Sequence, residues 1–170
     1  MNTNSLPQSL QTDSTKIFVG IHTYTSHGPS YFSNTPDEFK KFMPECTVVE
    51  MSEADSEELI NAYDNTILYT DYLIHNIIEM LRQMPERRSC VLFISDHGES
   101  LGEGNLYMHG IPLSMAPEEQ TEIPFIVWSS DKNLKLKDID CAGHHNIYHS
   151  VLRFLGAETE VYENTKDIFQ

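Results

Sequence analysis

Basic side chains are scarce in this sequence, and it contains no long apolar run. Eleven Lys and Arg residues stand against 26 Asp and Glu residues, which gives a formal net charge of −15. This balance excludes nucleic acid and an anionic membrane surface as the main partner, because both require a basic face. No apolar run approaches the roughly 18 residues of a membrane-spanning helix. Residues 1–15 lack the charged start and the apolar stretch of a signal peptide, and we interpret them as a polar leader.

Cysteine is also sparse, and its spacing excludes a cysteine-based metal site. The three cysteines, Cys46, Cys90 and Cys141, form no CxxC pair and allow at most one disulfide. We expect them to be small buried hydrophobic side chains, and the sequence leaves open whether Cys90 and Cys141 pair.

Short apolar runs predict the strands of one domain. The chain has 170 residues, of which 39% are hydrophobic, enough for one sizeable core. Runs rich in β-branched and aromatic residues predict buried strands over 16–21 and 90–94, and a third strand over 123–128. Pro124 confines the last of these to a sheet edge or to a strand start.

Two stretches have the spacing of helices. A long helix is predicted with Ser56 as its N-cap, reaching about Met84 and stopped by Pro85. A last helix is predicted with Asn146 as its cap and Gly156 as its end. The resulting order of strand, helix, strand, loop, strand and helix is the α/β pattern.

Two loops carry the residues suited to chemistry, and each follows a predicted strand. In open α/β sheets ligands bind at the carboxyl ends of the strands. The candidate residues are His22 and His27 in the first loop, and Asp96, His97, Glu99, Glu103 and His109 in the second. A carboxylate beside an imidazole supplies the oxygen and nitrogen ligands that zinc accepts. A divalent cation would also offset negative charges that otherwise repel a phosphate or sulfate.

A structural interpretation of the same residues stays open. An isolated Asp-His pair more often caps a turn and packs in a core than binds a metal, but the further acids and histidines of these loops favour a metal site. His144 or His145 is a conjectural further member. His75, within the long helix, is expected to be packed or exposed, and His149 to be a surface residue.

An ordered series of motifs resembles one enzyme family. The motifs are HTYTSHGPSY at 22–31, FMPEC at 42–46, NAYDNT at 61–66, SDHGESLGE at 95–103, YMHG at 107–110 and WSS at 128–130. In this order they resemble the C-terminal part of the catalytic domain of lipid A phosphoethanolamine transferases. This sulfatase-like group of the alkaline-phosphatase superfamily includes the mobile colistin-resistance enzymes, and the likeness covers residues 16–170.

The resemblance implies a fold and a reaction. The fold is a three-layer α/β/α sandwich, incomplete here because its front strands are missing. The reaction uses zinc and a threonine nucleophile to move phosphoethanolamine from phosphatidylethanolamine to lipid A or a related glycan. The family works at the periplasmic face of the bacterial inner membrane, and we expect membrane contact only through segments that this sequence lacks.

The resemblance also implies roles for single residues. Asp96 and His97 match two zinc ligands, and His27 and His109 match histidines that contact the substrate phosphate or a second zinc. His22 and Glu99 match supporting positions.

The sequence departs from the family pattern in several places. The nucleophilic threonine and the first acidic zinc ligand belong upstream of the 22–31 motif, so we expect no catalytic nucleophile in this chain. Thr25 stands where the family has Gly, and the partner that normally bridges to Cys46 is absent. The alternatives are a sulfatase or phosphodiesterase on the same fold, and a non-catalytic product of a truncated gene.

Overall fold

The computed structural model describes residues 15–170, which form two compact units. One, here called the loop unit, contains Ile21–His75 and Ser95–Ile123. The other, here called the sheet unit, contains Asn76–Ile94, Pro124–Gln170 and the described residues up to Gly20. The expected polar leader lies, apart from its last residue, outside the described residues. Within 15–170, no helix combines the length and the apolar character needed to cross a membrane.

The described residues form helices and short strands. In order they are α1 (Tyr31–Asn34), α2 (Ser56–Arg82), β1 (Cys90–Ile94), β2 (Ser100–Leu101), β3 (Tyr107–Met108), α3 (Glu118–Thr121), β4 (Phe125–Ser129) and α4 (His144–Leu155). The stretch 95–122 contains only the two-residue strands, a 3₁₀ turn and one turn of helix. The loop predicted between the strands over 90–94 and 123–128 is therefore confirmed.

The long predicted helix is α2, but its N-cap is not the predicted one. The carboxylate of Asp55 accepts the backbone N–H groups of Glu57 at 2.9 Å and Glu58 at 3.2 Å. These are two of the donors that a helix start leaves without an intrahelical partner. Asp55 is therefore the cap, and Ser56 is the first residue of the helix.

One face of α2 is buried and supplies part of the core of the loop unit. The buried residues recur at helical spacing and are Leu59, Ala62, Asn65, Thr66 and Thr70. Leu59 and Ala62 pack in one cluster with Tyr31, Cys46 and Met51. The helix ends at Arg82, two residues before the predicted end, and Pro85 follows it.

Two of the three predicted strands pair with each other in the sheet unit. β1 and β4 are antiparallel, with Leu92 opposite Val127. β4 begins directly after Pro124, whose missing N–H thus stays outside the ladder. Both strands are half-buried for most of their length, although full burial was expected for 90–94.

The predicted strand over 16–21 is wrong. The backbone there is irregular, and it pairs with no strand of the described chain. Phe18 is 69% exposed and Ile21 57% exposed. An apolar run becomes a strand only where a neighbouring strand accepts its hydrogen bonds, and the run itself does not specify that neighbour.

The last helix, α4, begins earlier than predicted. Its N-cap is Gly143, and Asn146 lies in the first turn, where its side-chain oxygen accepts the N–H of Gly143 at 2.8 Å. The predicted end is confirmed, because Gly156 follows with a φ of +58° in the left-handed region. His149 is 7% exposed and accepts the N–H of Glu163, so its prediction as a surface residue is wrong.

Candidate functional site

Three of the predicted site histidines lie together in the loop unit. One ring nitrogen of each of His27, His97 and His109 lies within 4.8 Å of the other two. The ring centroids of His97 and His109 are 3.8 Å apart, and His27 lies 5.0 Å from His109 and 6.1 Å from His97. All three side chains are half-buried. The two motif loops therefore meet, and we call these three residues the histidine cluster.

Backbone carbonyls define the tautomers of two cluster members. Nδ1 of His27 lies 2.7 Å from the carbonyl oxygen of Gly28, and Nδ1 of His97 lies 3.0 Å from that of Gly98. A carbonyl oxygen only accepts hydrogen bonds, so both Nδ1 atoms carry the proton. The lone pair of each neutral ring is therefore on Nε2.

The buried carboxylate of Glu99 defines the tautomer of His109, the third histidine of the cluster. Nδ1 of His109 lies 2.8 Å from Oε1 of Glu99, whose residue is 7% exposed. A carboxylate oxygen accepts this bond too, so in the neutral form all three histidines have their free lone pair on Nε2. Second partners of this kind orient metal-binding imidazoles in many zinc sites. Glu99 thus lies directly behind the ring of His109.

The hydroxyl of Tyr31 contacts the same carboxylate from the other side. It donates to Oε2 of Glu99 at 2.7 Å, and Tyr31 is 1% exposed. Burial, and next the hydrogen bond to the Glu99 carboxylate, raise the pKa of Tyr31 far above its ordinary value. Tyr31 therefore acts as a neutral hydroxyl donor at neutral pH. The sequence analysis did not select this residue, although the motif that contains His27 ends on it.

Asp96 and His22 lie apart from the histidine cluster. The carboxylate of Asp96 is 76% exposed, with Oδ2 3.8 Å from Nε2 of His97. Its other oxygen accepts the backbone N–H of His97 at 3.1 Å. His22 lies on an exposed stretch. Neither belongs to the group of ligand atoms within 4.8 Å that the described residues form.

Hydroxyl groups anchor the loop that carries His27. Oγ1 of Thr25 lies 2.6 Å from Oγ1 of Thr70, and Oγ1 of Thr66 lies 2.8 Å from Oγ of Ser26. Thr66 and Thr70 are one turn apart on α2 and are buried. Thr25, which replaces the Gly of the family pattern, thus fastens this loop to the helix. The i, i+4 threonine pair is the sequence signal that was available for this contact.

Gly98 lets the second loop approach α3 closely. Its N–H donates to the carbonyl of Gln120 at 3.1 Å. A Cβ at this position would lie 2.0 Å from the carbonyl oxygen of Glu119. Only glycine fits here, and its neighbours in sequence are His97 and Glu99.

The other candidate residues lie elsewhere. His75 is exposed on α2, and His144 and His145 are exposed at the start of α4 in the sheet unit. All three cysteines are free: Cys46 is buried, Cys90 half-buried and Cys141 exposed. Burial raises the pKa of the Cys90 thiol to about 11. The expectation of small buried cysteines is thus met by Cys46, met halfway by Cys90, and wrong for Cys141.

Comparison with known proteins identifies relatives of both the sequence and the fold. Residues 2–157 match the sulfatase family. The chain is 36% identical over 164 residues to phosphoethanolamine transferase EptA of Salmonella typhimurium, an alignment covering 89% of this chain. It is 40% identical over 114 residues, 66% of this chain and 21% of the relative, to phosphatidylethanolamine transferase Mcr-1 of Escherichia coli.

A solved structure gives the same result. The C-terminal periplasmic domain of phosphoethanolamine transferase EptC from Campylobacter jejuni matches with a TM-score of 0.75 and 41% identity. The match covers 84% of this chain and 48% of that domain. This chain spans 30% of the length of the Salmonella relative. The predicted resemblance and the predicted sulfatase-like fold, present in part, are confirmed. The chain belongs to the sulfatase family, and its sequence and fold are similar to those of phosphoethanolamine transferases.

Proposed function

We propose that the histidine cluster is part of a zinc-dependent site that transfers phosphoethanolamine. One observation carries the proposal: three imidazoles from two loops converge with every Nδ1 committed to an acceptor and every Nε2 lone pair free. Zinc accepts neutral imidazole nitrogen and carboxylate oxygen, and catalytic zinc sites combine such ligands. The donor set therefore fits the metal.

The residues divide by their chemistry. We assign His97 to a zinc ion, with the exposed carboxylate of Asp96 as its candidate oxygen ligand. We assign His27 and His109 to a second zinc through their Nε2 lone pairs, or to the substrate phosphate through an N–H group when Nε2 carries a proton. Bound zinc would polarise a phosphoryl oxygen and offset the negative charges around it. The contribution of this chain is to hold and orient the phosphoryl group while half-buried side chains limit the access of water.

The substrates follow from the relatives. Mcr-1 is named a phosphatidylethanolamine transferase, which supports phosphatidylethanolamine as the donor. We propose lipid A or a related glycan as the acceptor, and the periplasmic face of the inner membrane as the location. The ammonium of an ethanolamine group also suits a chain with a net charge of −15. The nucleophilic threonine is expected on a segment that this sequence does not contain.

Zinc binding by the purified chain tests the site directly and does not require turnover. Competition with a chromophoric chelator is expected to show zinc binding that His97→Ala weakens about tenfold or more. His75→Ala, which removes an exposed histidine outside the histidine cluster, is the matched control and should bind zinc as the wild type does. Equal zinc affinity in the wild type and in His97→Ala would refute the metal site.

The sulfatase alternative is supported by the match to the sulfatase family, and a ligand comparison separates it from the transferase. We expect phosphoethanolamine to bind the zinc-loaded chain and His109→Ala to weaken that binding. Methyl sulfate should bind far more weakly. Tighter binding of methyl sulfate than of phosphoethanolamine would favour a sulfatase and contradict the proposed transfer.

A further inference from the structure

The contacts of Glu99 form a continuous chain of hydrogen bonds from Tyr31 to the histidine cluster. Tyr31 donates to Oε2 at 2.7 Å, and Oε1 accepts from Nδ1 of His109 at 2.8 Å. The side chain of Glu99 is 3% exposed. An ionised carboxylate has no proton to give, so both bonds have one possible direction. The two oxygens of one buried carboxylate thus join a tyrosine hydroxyl to a site histidine.

The tyrosine at the end of this chain is itself held in place. Its ring packs edge-on against Tyr63 with centroids 5.3 Å apart, and it belongs to the buried core cluster of the loop unit. Its hydroxyl also lies close to the first loop, because a Cβ on Gly28 would be 2.9 Å from the hydroxyl oxygen. The position of the hydroxyl is therefore determined by packing on several sides.

A carboxylate held at one oxygen only would be free to rotate. Without a donor at Oε2, the buried oxygen of Glu99 would lack a partner, and the carboxylate would turn towards water and away from Nδ1 of His109. His109 would then lose the fixed acceptor that keeps its proton on Nδ1. Its Nε2 lone pair would be present for only part of the time.

We propose that Tyr31 is a positioning residue for His109 and acts through Glu99. Its hydroxyl fixes the Glu99 carboxylate, the carboxylate fixes the Nδ1–H tautomer, and the Nε2 lone pair of His109 stays available to a metal ion. The last step rests on the proposed function, whereas the first two steps concern the chain alone. Because Tyr31 and His27 belong to one loop motif, the same segment supplies one cluster histidine directly and orients another.

The tautomer of His109 in the metal-free chain is the decisive measurement. Two-bond ¹⁵N–¹H spectra of the wild-type chain should show the Nδ1–H form of His109, and Tyr31→Phe should convert it to a mixture of tautomers. Tyr63→Phe is the matched control, because it removes a hydroxyl from the neighbouring ring and leaves both hydrogen bonds of Glu99 in place. A pure Nδ1–H form in Tyr31→Phe, with the fold intact by amide spectra, would overturn the proposal.

Zinc affinity distinguishes this proposal from the proposed function. Replacing a direct partner of a metal-binding histidine lowers metal affinity about 10–100-fold, so Tyr31→Phe, one bond further away, should lower it roughly three- to tenfold. If the wild type binds no zinc but the tautomer changes as expected, the metal assignment fails and the positioning role stands. If zinc binds and Tyr31→Phe changes neither affinity nor tautomer, the positioning role fails alone. A second measurement covers a variant that does not fold: the wild-type Tyr31 hydroxyl proton should give a slowly exchanging signal, and its absence would also overturn the proposal.

Discussion

The hydrogen-bond acceptor at Nδ1 of each histidine of the cluster determines which ring nitrogen is left for a ligand. His27 and His97 each donate to the carbonyl of the glycine that follows them, so the local backbone fixes both tautomers. His109 donates to the buried carboxylate of Glu99, which comes from ten residues earlier in the chain. Hydrogen bonds to a charged acceptor are roughly twice as strong as neutral ones. We therefore expect His109 to be the most rigidly held ring of the three and the most sensitive to distant substitutions.

The glycine between His97 and Glu99 should be irreplaceable. In Gly98→Ala the new Cβ would lie 2.0 Å from the carbonyl oxygen of Glu119, so the loop must move away from α3. We expect a loss of about 1–3 kcal/mol in the free energy of unfolding, as for other overpacked sites. Zinc affinity should fall as well, because His97 and Glu99 move with the loop.

Gly20→Ala is the control for this prediction. A Cβ on Gly20 meets no atom closer than 3.9 Å, and the substitution should change the free energy of unfolding by less than about 0.5 kcal/mol. Urea unfolding of both variants measures the difference. Equal stability of the two variants would show that the approach of Gly98 to α3 is looser than the structure describes.

At the scale of elements, the cap of α2 gives a direct test of which residue begins the helix. Asp55→Ala removes the acceptor for the N–H groups of Glu57 and Glu58 and should lower the free energy of unfolding by about 1 kcal/mol. Ser56→Ala should cost little, because alanine is favourable at a first helical position. Urea unfolding distinguishes the two, and a larger loss for Ser56→Ala would restore the predicted cap.

The sequence predicts well those elements whose formation is determined mainly by their own residues. The apolar spacing of α2 extends over 27 residues, and β1 and β4 are compact runs beside a helix end or a proline. The run at 16–21 is equally apolar, yet a strand also needs a partner, which no local pattern encodes. The cap of α2 lies one residue before the predicted cap, and the cap of α4 lies three residues before its predicted cap, for a related reason. Several polar side chains near a helix start can cap it, and the fold decides which one reaches the N–H groups.

At the candidate site, too, some features could be predicted from local sequence and others could not. That the two loops meet could be predicted, because their histidines are chemically distinctive and lie in motifs of one family. The contribution of Tyr31 could not, since a tyrosine next to a loop is ordinary in any core. The same holds for Thr25 and Thr70, whose bond links positions 45 residues apart. Supporting contacts of this kind depend on long-range geometry and not on residue type.

For the whole molecule, two electrostatic effects change the stability in opposite directions as the pH falls. At a net charge of −15, the acidic side chains of the folded chain repel one another. Protonation of acids should reduce this repulsion and raise the free energy of unfolding as the pH falls from neutrality. Buried Asp167 acts in the opposite sense. Burial tends to raise its pKa, but hydrogen bonds from Tyr162, Lys137 and the backbone N–H of Phe169 outweigh burial and hold the pKa below its ordinary value.

The sign of the Asp167 contribution follows from that shift. A carboxyl whose pKa is lower in the folded than in the unfolded chain stabilises the fold above the unfolded value, which for Asp is about 3.9. The contribution is lost as the pH falls through the folded pKa. We therefore expect urea midpoints at low salt to stay level or rise between pH 7 and pH 5, and then to fall below about pH 4.

The fall of the urea midpoint below about pH 4, here called the acid limb, should depend on Asp167 in particular. Asp167→Asn removes the ionised form at every pH, so this variant should be less stable at pH 7 and should lose less stability than the wild type between pH 4 and pH 2. Asp138→Asn, at an exposed acid of the same unit, is the matched control and should keep the steep limb of the wild type. A wild-type midpoint that keeps rising to pH 2 would mean that relief of charge repulsion outweighs the buried carboxylate. An Asp167→Asn variant that unfolds in acid as steeply as the wild type would place the sensitive group elsewhere in the chain.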